Sequence, residues 1–183
     1  MSRKTCIVLV GGPCSGKSSA GKLVAKKLDI EYISSGDIAR EMAKHDSAID
    51  NSLNNGNLAP EDQMRKSISD KLWYHLFRRG KDIIILDGFP RFGDQAIWLQ
   101  NEVALNNINI YYVLFHVPMS TIIERSAHRN RTDDKSLENR LKYYYGTTYK
   151  ELYDRIDVVI DADENNVDEC SALLANYIIK EVL

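Results

Sequence analysis

Residues 11–18 read Gly-Gly-Pro-Cys-Ser-Gly-Lys-Ser, a glycine-rich loop of the form G-x-x-x-x-G-K-S. Such a loop lets successive backbone N–H groups wrap a polyphosphate while its lysine reaches the β- and γ-phosphates. Gly12, Pro13, Cys14, Ser15, Gly16, Lys17, Ser18 and Ser19 are therefore the expected triphosphate cradle. Ser18 or Ser19 can hold Mg²⁺ directly or through water. Three further segments carry charge suited to phosphate. In Ser34-Ser-Gly-Asp-Ile-Ala-Arg40, Gly36 lets backbone pass close to a ligand, Asp37 is the expected helix cap, and Arg40 turns back towards the loop. In Ile83-Ile-Ile-Leu-Asp-Gly-Phe-Pro-Arg91, Asp87 ends an apolar run where a carboxylate can organise hydrated Mg²⁺. Gly88 permits close approach there, and Arg91 projects over the strand ends. The third segment gathers Arg125, Arg129, Arg131 and Arg140.

Arginine stays charged and grips phosphate with parallel donors, so this set suits phosphoryl transfer, which needs held phosphates and neutralised charge. The competing reading of the last segment is a solvated helix face paired with Asp133, Asp134 and Glu138. No Ser/His/Asp or Cys/His arrangement is visible. His45, His75, His116 and His128 are scattered and read as structural or surface residues, and Tyr143-Tyr-Tyr145 reads as helix packing.

The loop does chemistry only if a buried strand delivers it and a helix leaves it. Thr5–Val10 is apolar enough for that strand, and Leu23, Val24 and Leu28 form a stripe on a helix over 16–28. That helix places the positive end of its dipole at the loop. Further strands are expected near 31–33 and at 83–87, 110–117 and 157–161. Helices are expected at 37–43, 60–79, 94–106, 118–129, 135–153 and 167–181, with Pro60 at a first helical position. Runs such as Ile83–Leu86 lack polar alternation, as strands covered on both faces do. The predicted fold is α/β, a three-layer, doubly wound parallel sheet in one domain spanning the chain.

The chain has 183 residues, a net charge of −2, 44% hydrophobic and 27% charged residues, an ordinary globular composition. That balance argues against a broad nucleic-acid or membrane footprint, and no apolar run nears the ~18–20 residues a spanning helix needs. Met1-Ser-Arg-Lys4 is too short for a signal or transit peptide before the first strand. Three cysteines, Cys6, Cys14 and Cys170, form no metal spacing and suit a reducing compartment, so a cytoplasmic location is expected.

Taken together, Gly-Gly-Pro-Cys-Ser-Gly-Lys, Ser-Ser-Gly-Asp-x-x-Arg, Asp-Gly-Phe-Pro-Arg and Arg131-Thr-Asp-Asp134 make the chain resemble the nucleoside monophosphate kinases over residues 7–167. The resemblance is strongest to the adenylate kinase branch. It implies transfer of the γ-phosphate of MgATP to AMP, giving two ADP, by a P-loop domain that is commonly a monomer. It further implies a mobile helical monophosphate-binding segment, here residues 35–64, and a lid, here 129–134. By position, Lys17, Asp87, Arg91, Arg131 and Arg140 would be catalytic, and Ser18 and Asp87 would serve Mg²⁺. Arg125 or Arg129 would lie along ATP, and the backbone around Ala162 would meet its adenine. Ser35, Gly36, Arg40, Asn57, Leu58, Ala59, Gly88, Phe89, Arg91, Gln95, Arg131 and Arg140 would bind the monophosphate. Gln95 stands where adenylate kinases carry glutamine and the pyrimidine relatives usually carry asparagine.

Only Asn130 separates Arg129 from the Arg-x-Asp-Asp motif, so the lid is short and the roles of Arg129 and Arg131 can be exchanged. A smaller lid excludes water less completely, which predicts some ATP hydrolysis without acceptor. Two other readings stand beside the leading one: a kinase for UMP, CMP or another acceptor, and an ATP-binding regulatory module with little turnover.

Overall fold

Five parallel strands form the centre of the molecule in the order β2-β3-β1-β4-β5. A computed structural model describes residues 4–55, 57–127 and 137–182. Gly56, His128, Arg129, Arg131, Asp133, Asp134 and the lid expected at 129–134 lie outside the described residues.

β1 (Thr5–Gly11) leads into the glycine-rich loop, and α1 (Lys17–Leu28) leaves it. β2 (Glu31–Ser34) runs directly into α2 (Ser35–Ala43), followed by α3 (Ser47–Asn54) and α4 (Glu61–Trp73). β3 (Ile83–Asp87), α5 (Gly93–Ala104), β4 (Asn109–His116) and α6 (Met119–Ala127) come next. The chain continues with α7 (Leu137–Tyr143), α8 (Tyr149–Leu152), β5 (Val158–Asp161) and α9 (Val167–Glu181).

Side chains alternate across each strand, and both faces are apolar. Cys6, Val8, Val10, Ile84, Leu86 and Leu114 meet Ile68, Leu72, Leu76, Ala96 and Leu99 on one side. Ile7, Leu9, Ile85, Val113 and Phe115 meet Ala20, Val24, Leu174 and Ile178 on the other. Helices thus cover both faces of the sheet, the three-layer arrangement the uninterrupted apolar runs predict.

Three expectations are corrected. The stretch between Ala43 and Pro60, for which the residue pattern bounds no helix, holds α3, capped by Asp46, whose carboxylate accepts from Ala48 N and Ile49 N. Pro60 stands one position before α4 rather than inside it, and its carbonyl accepts from Met64 N at 3.0 Å. The helices expected at 60–79 and 135–153 each break into a π-helical turn, at Tyr74–Arg78 and Tyr144–Thr148. The second turn contains Gly146, Thr147 and Thr148, all weak helix formers.

In sequence order β1 connects to β2, two places away on one side. The connection from β3 crosses β1 to reach β4 on the other side. The crevice at the carboxyl ends of the strands, where these connections part, is where α/β sheets of this kind bind ligands.

Candidate active site

At that crevice the loop passes Gly16 at φ +82°, a left-handed conformation that glycine adopts without strain, and enters α1 at Lys17. Lys17 Nζ donates to the Gly12 carbonyl at 3.2 Å. Gly12 supports the loop from behind and does not line the cleft: a Cβ there would come within 2.8 Å of Ile122 Cδ1 and 3.2 Å of the Tyr144 ring.

Sheet register sets the next wall. Ser34 pairs with Asp87, so Ser35 arrives beside Gly88. Gly88 has φ +79°, and a Cβ on it would sit 2.5 Å from Ser35 Oγ. Asp37 is not the cap of α2. Ser34 is: its Oγ accepts from Asp37 N at 3.1 Å. Asp37 pairs instead with Arg40, and with Lys22 at 3.7 Å. Burial pushes the Asp37 carboxyl up, but these cations outweigh it and hold it below the usual carboxylate range.

Asp87 is 5% exposed. Its Oδ2 accepts from Ser18 Oγ and from Tyr32 OH, each at 2.6 Å, and its Oδ1 is buried with no hydrogen-bond partner. Tyr32 is a neighbour that sequence reasoning missed. Burial and then Asp87 push its phenol upward, so it stays a donor at neutral pH.

Arg91 is half-buried. Its Nε donates to the Gly88 carbonyl at 2.9 Å, and its backbone N–H donates to Gln95 Oε1 at 2.8 Å. Partial removal from water, then the positive charge of Arg140, holds the Arg91 guanidinium below its ordinary value. Two guanidiniums near one another form an anion site, because a phosphate between them relieves the repulsion. Gln95 is itself 5% exposed rather than solvent-facing.

These side chains share one cleft of about 1130 Å³. The loop from Pro13 to Ser19, Ser35, Gly36, Arg40, Asn57, Leu58, Ala59, Asp87, Gly88, Phe89, Arg91, Gln95, Arg125 and Arg140 all line it. So do Asp50, Leu53 and Asn54 of α3, which fall in the 35–64 segment but were not named as site residues from the sequence. Their signal was present: Asp46 as a cap, followed by Ile49 and Leu53 one turn apart. Arg125 also donates to the Asp163 carbonyl at 3.5 Å. Ala162 is not brought to the cleft: it is 1% exposed in the core, and its N–H donates to the His116 carbonyl.

Buried polar atoms are normally paired. Ser15 Oγ, Ser35 Oγ and Asp87 Oδ1 are buried without hydrogen-bond partners, and all three residues line this cleft. Among the described residues no group of three or more His, Cys, Asp or Glu is placed to hold a metal ion by itself. The orphaned Asp87 oxygen beside Ser18 nevertheless fits a divalent cation that brings phosphate and water as its other ligands.

The fold and the cleft are those of a phosphate-loop nucleotide-binding domain. A family model described as adenylate kinase matches residues 9–157. The adenylate kinase of Nocardia farcinica is 31% identical over 172 residues, covering 89% of this chain and 93% of that protein. The adenylate kinase of Mycobacteroides abscessus is 32% identical, covering 86% and 93%. Adenylate kinase 1 of a Synechocystis species is 31% identical over 145 residues, covering 75% and 76%. The chain belongs to the adenylate kinase family.

Proposed function

We propose that this protein transfers the γ-phosphoryl group of ATP to AMP, forming two ADP. The observation that carries the reading is a single cleft large enough for two nucleotides. It is lined both by the glycine-rich loop and by Ser35, Arg91 and Gln95. An acceptor phosphate oxygen bonds to the γ-phosphorus as the bond to the β–γ bridging oxygen breaks, and that electron pair leaves with ADP. Backbone N–H groups of the loop and Lys17 hold the donor phosphates. Arg40 and Arg91 hold the acceptor phosphate, and Arg140 stands beside Arg91 to take up charge between the two. Mg²⁺, which Asp87 Oδ1 and Ser18 would hold, supplies further charge neutralisation on the β- and γ-phosphates.

Gln95 supports AMP over UMP. Its Oε1 accepts from Arg91 N–H, and its Nε2 has no partner among the described residues. That amide donor matches N1 of adenine, an acceptor, whereas N3 of uracil is itself a donor and would be left unpaired. We further read residues 35–64 as the acceptor-binding segment and 129–134 as a short lid that leaves some acceptor-independent hydrolysis. A cytoplasmic monomer is the matching setting. Among the described residues no helix is long and apolar enough to cross a membrane.

The test is diphosphate formation from MgATP with AMP, dAMP, UMP, CMP, dCMP and GMP, and without acceptor. AMP is expected to be the fastest acceptor, with turnover abolished in Lys17→Met. Arg91→Ala is expected to lower it about ten- to hundredfold, since one charge-assisted bond is worth about 1.5–3 kcal/mol. Preference for another base would refute the role given to Gln95. Intact ATP binding without turnover on any acceptor would leave a nucleotide-binding module.

A further inference from the structure

Two hydroxyls hold the same oxygen of Asp87, and only one of them comes from the glycine-rich loop. Ser18 Oγ reaches Oδ2 from the start of α1, and Tyr32 OH reaches it from the neighbouring strand β2. Tyr32 is in register with Ile85, two residues before Asp87, so all three side chains share one face of the sheet. An aromatic side chain is long enough to span that diagonal. The ring is guided on its way. It lies against Gly21 of α1, where a Cβ would come within 3.0 Å of ring atom Cε2, and Lys22 Nζ stands 5.6 Å from the ring centroid.

A carboxylate whose oxygen meets a single donor can swing about that one contact. Anchored at Oδ2 by two donors from different elements, it has one orientation, with Oδ1 left unpaired beside the phosphate cleft. We propose that Tyr32 is a positioning residue that orients Asp87 so that Oδ1 meets the divalent cation accompanying the nucleotide. The proposal rests on the phosphotransfer reading above. The phenol touches neither phosphate nor cation. It acts through Asp87, as outer partners of metal-binding carboxylates do, whose loss commonly lowers metal affinity or activity about 10–100-fold.

Tyr32→Phe removes the hydroxyl and keeps the ring against Gly21. The intact chain and this variant are titrated calorimetrically with ATP in excess Mg²⁺ and with ATP in EDTA. The variant is expected to bind ATP about tenfold more weakly than the parent in Mg²⁺ and equally well in EDTA. In turnover its defect is expected to be largest at limiting Mg²⁺ and to shrink as Mg²⁺ saturates. Equal weakening in both buffers would mean that Tyr32 only packs the loop, and an unchanged affinity in both would mean that Ser18 suffices. Either result overturns the proposal while leaving the phosphotransfer reading intact. A parent chain that binds ATP identically with and without Mg²⁺ would remove Asp87 from the cation site, and the proposal with it.

Discussion

Gln95 does two jobs with its two amide atoms. Its oxygen satisfies the backbone N–H of Arg91, and on the proposed function its nitrogen meets the acceptor base. Gln95→Leu leaves the part-buried Arg91 N–H without its partner, which costs about 1 kcal/mol. Urea unfolding is expected to show that loss of stability, and the KM for AMP is expected to rise while the KM for ATP holds. A variant as stable as the parent, altered only in its acceptor KM, would reduce Gln95 to a base reader. Residues in unbroken motifs were legible from the sequence: Lys17, Asp87 and Arg91 all line the cleft. Asp37 was misread as a cap because serine and aspartate three positions apart are both good caps. The choice between them fell to the pairing of Ser34 with Asp87, which ends β2 at Ser34 and starts α2 at Ser35.

Among the elements, α3 draws little support from its own sequence. It is short and rich in serine and asparagine, and Ile49 is its one buried residue. Such a helix depends on its cap and its anchor. Asp46→Ala removes the acceptor for two of its first N–H groups and is expected to cost about 0.5–2 kcal/mol of stability. Because Asp50, Leu53 and Asn54 line the cleft, the same change is expected to raise the acceptor KM more than the donor KM. Equal effects on both would place α3 outside the acceptor site. α9, by contrast, was readable from end to end. Asn166 accepts from Asp168 N and Glu169 N while Glu169 accepts from Asn166 N, a capping box spelled within four consecutive residues.

In the molecule as a whole, the sheet order β2-β3-β1-β4-β5 brings the glycine-rich loop after β1 and the Gly88–Arg91 segment after β3 to one cleft. A ligand that binds only the folded state raises its stability by RT ln(1 + [L]/Kd), about 2.7 kcal/mol at a hundredfold excess over Kd. A pentaphosphate-linked diadenosine, which joins two adenosines, is therefore expected to raise Tm further than ATP at equal concentration. Equal shifts would indicate one nucleotide site rather than two.

The sequence by itself determined the chemistry of the phosphate loop, the Asp87–Arg91 segment and the alternation of buried strands with helices. Each of these is written in consecutive residues whose local conformation follows from glycine, proline and apolar spacing. Only the tertiary structure decided which distant groups meet: Tyr32 with Asp87, Arg91 beside Arg140, and α3 as a wall of the cleft. The same tertiary structure ties Ala162 N–H to the His116 carbonyl just beyond the end of β5. Those meetings depend on strand order and on register, and a register shift of one residue would turn Tyr32 to the opposite face of the sheet.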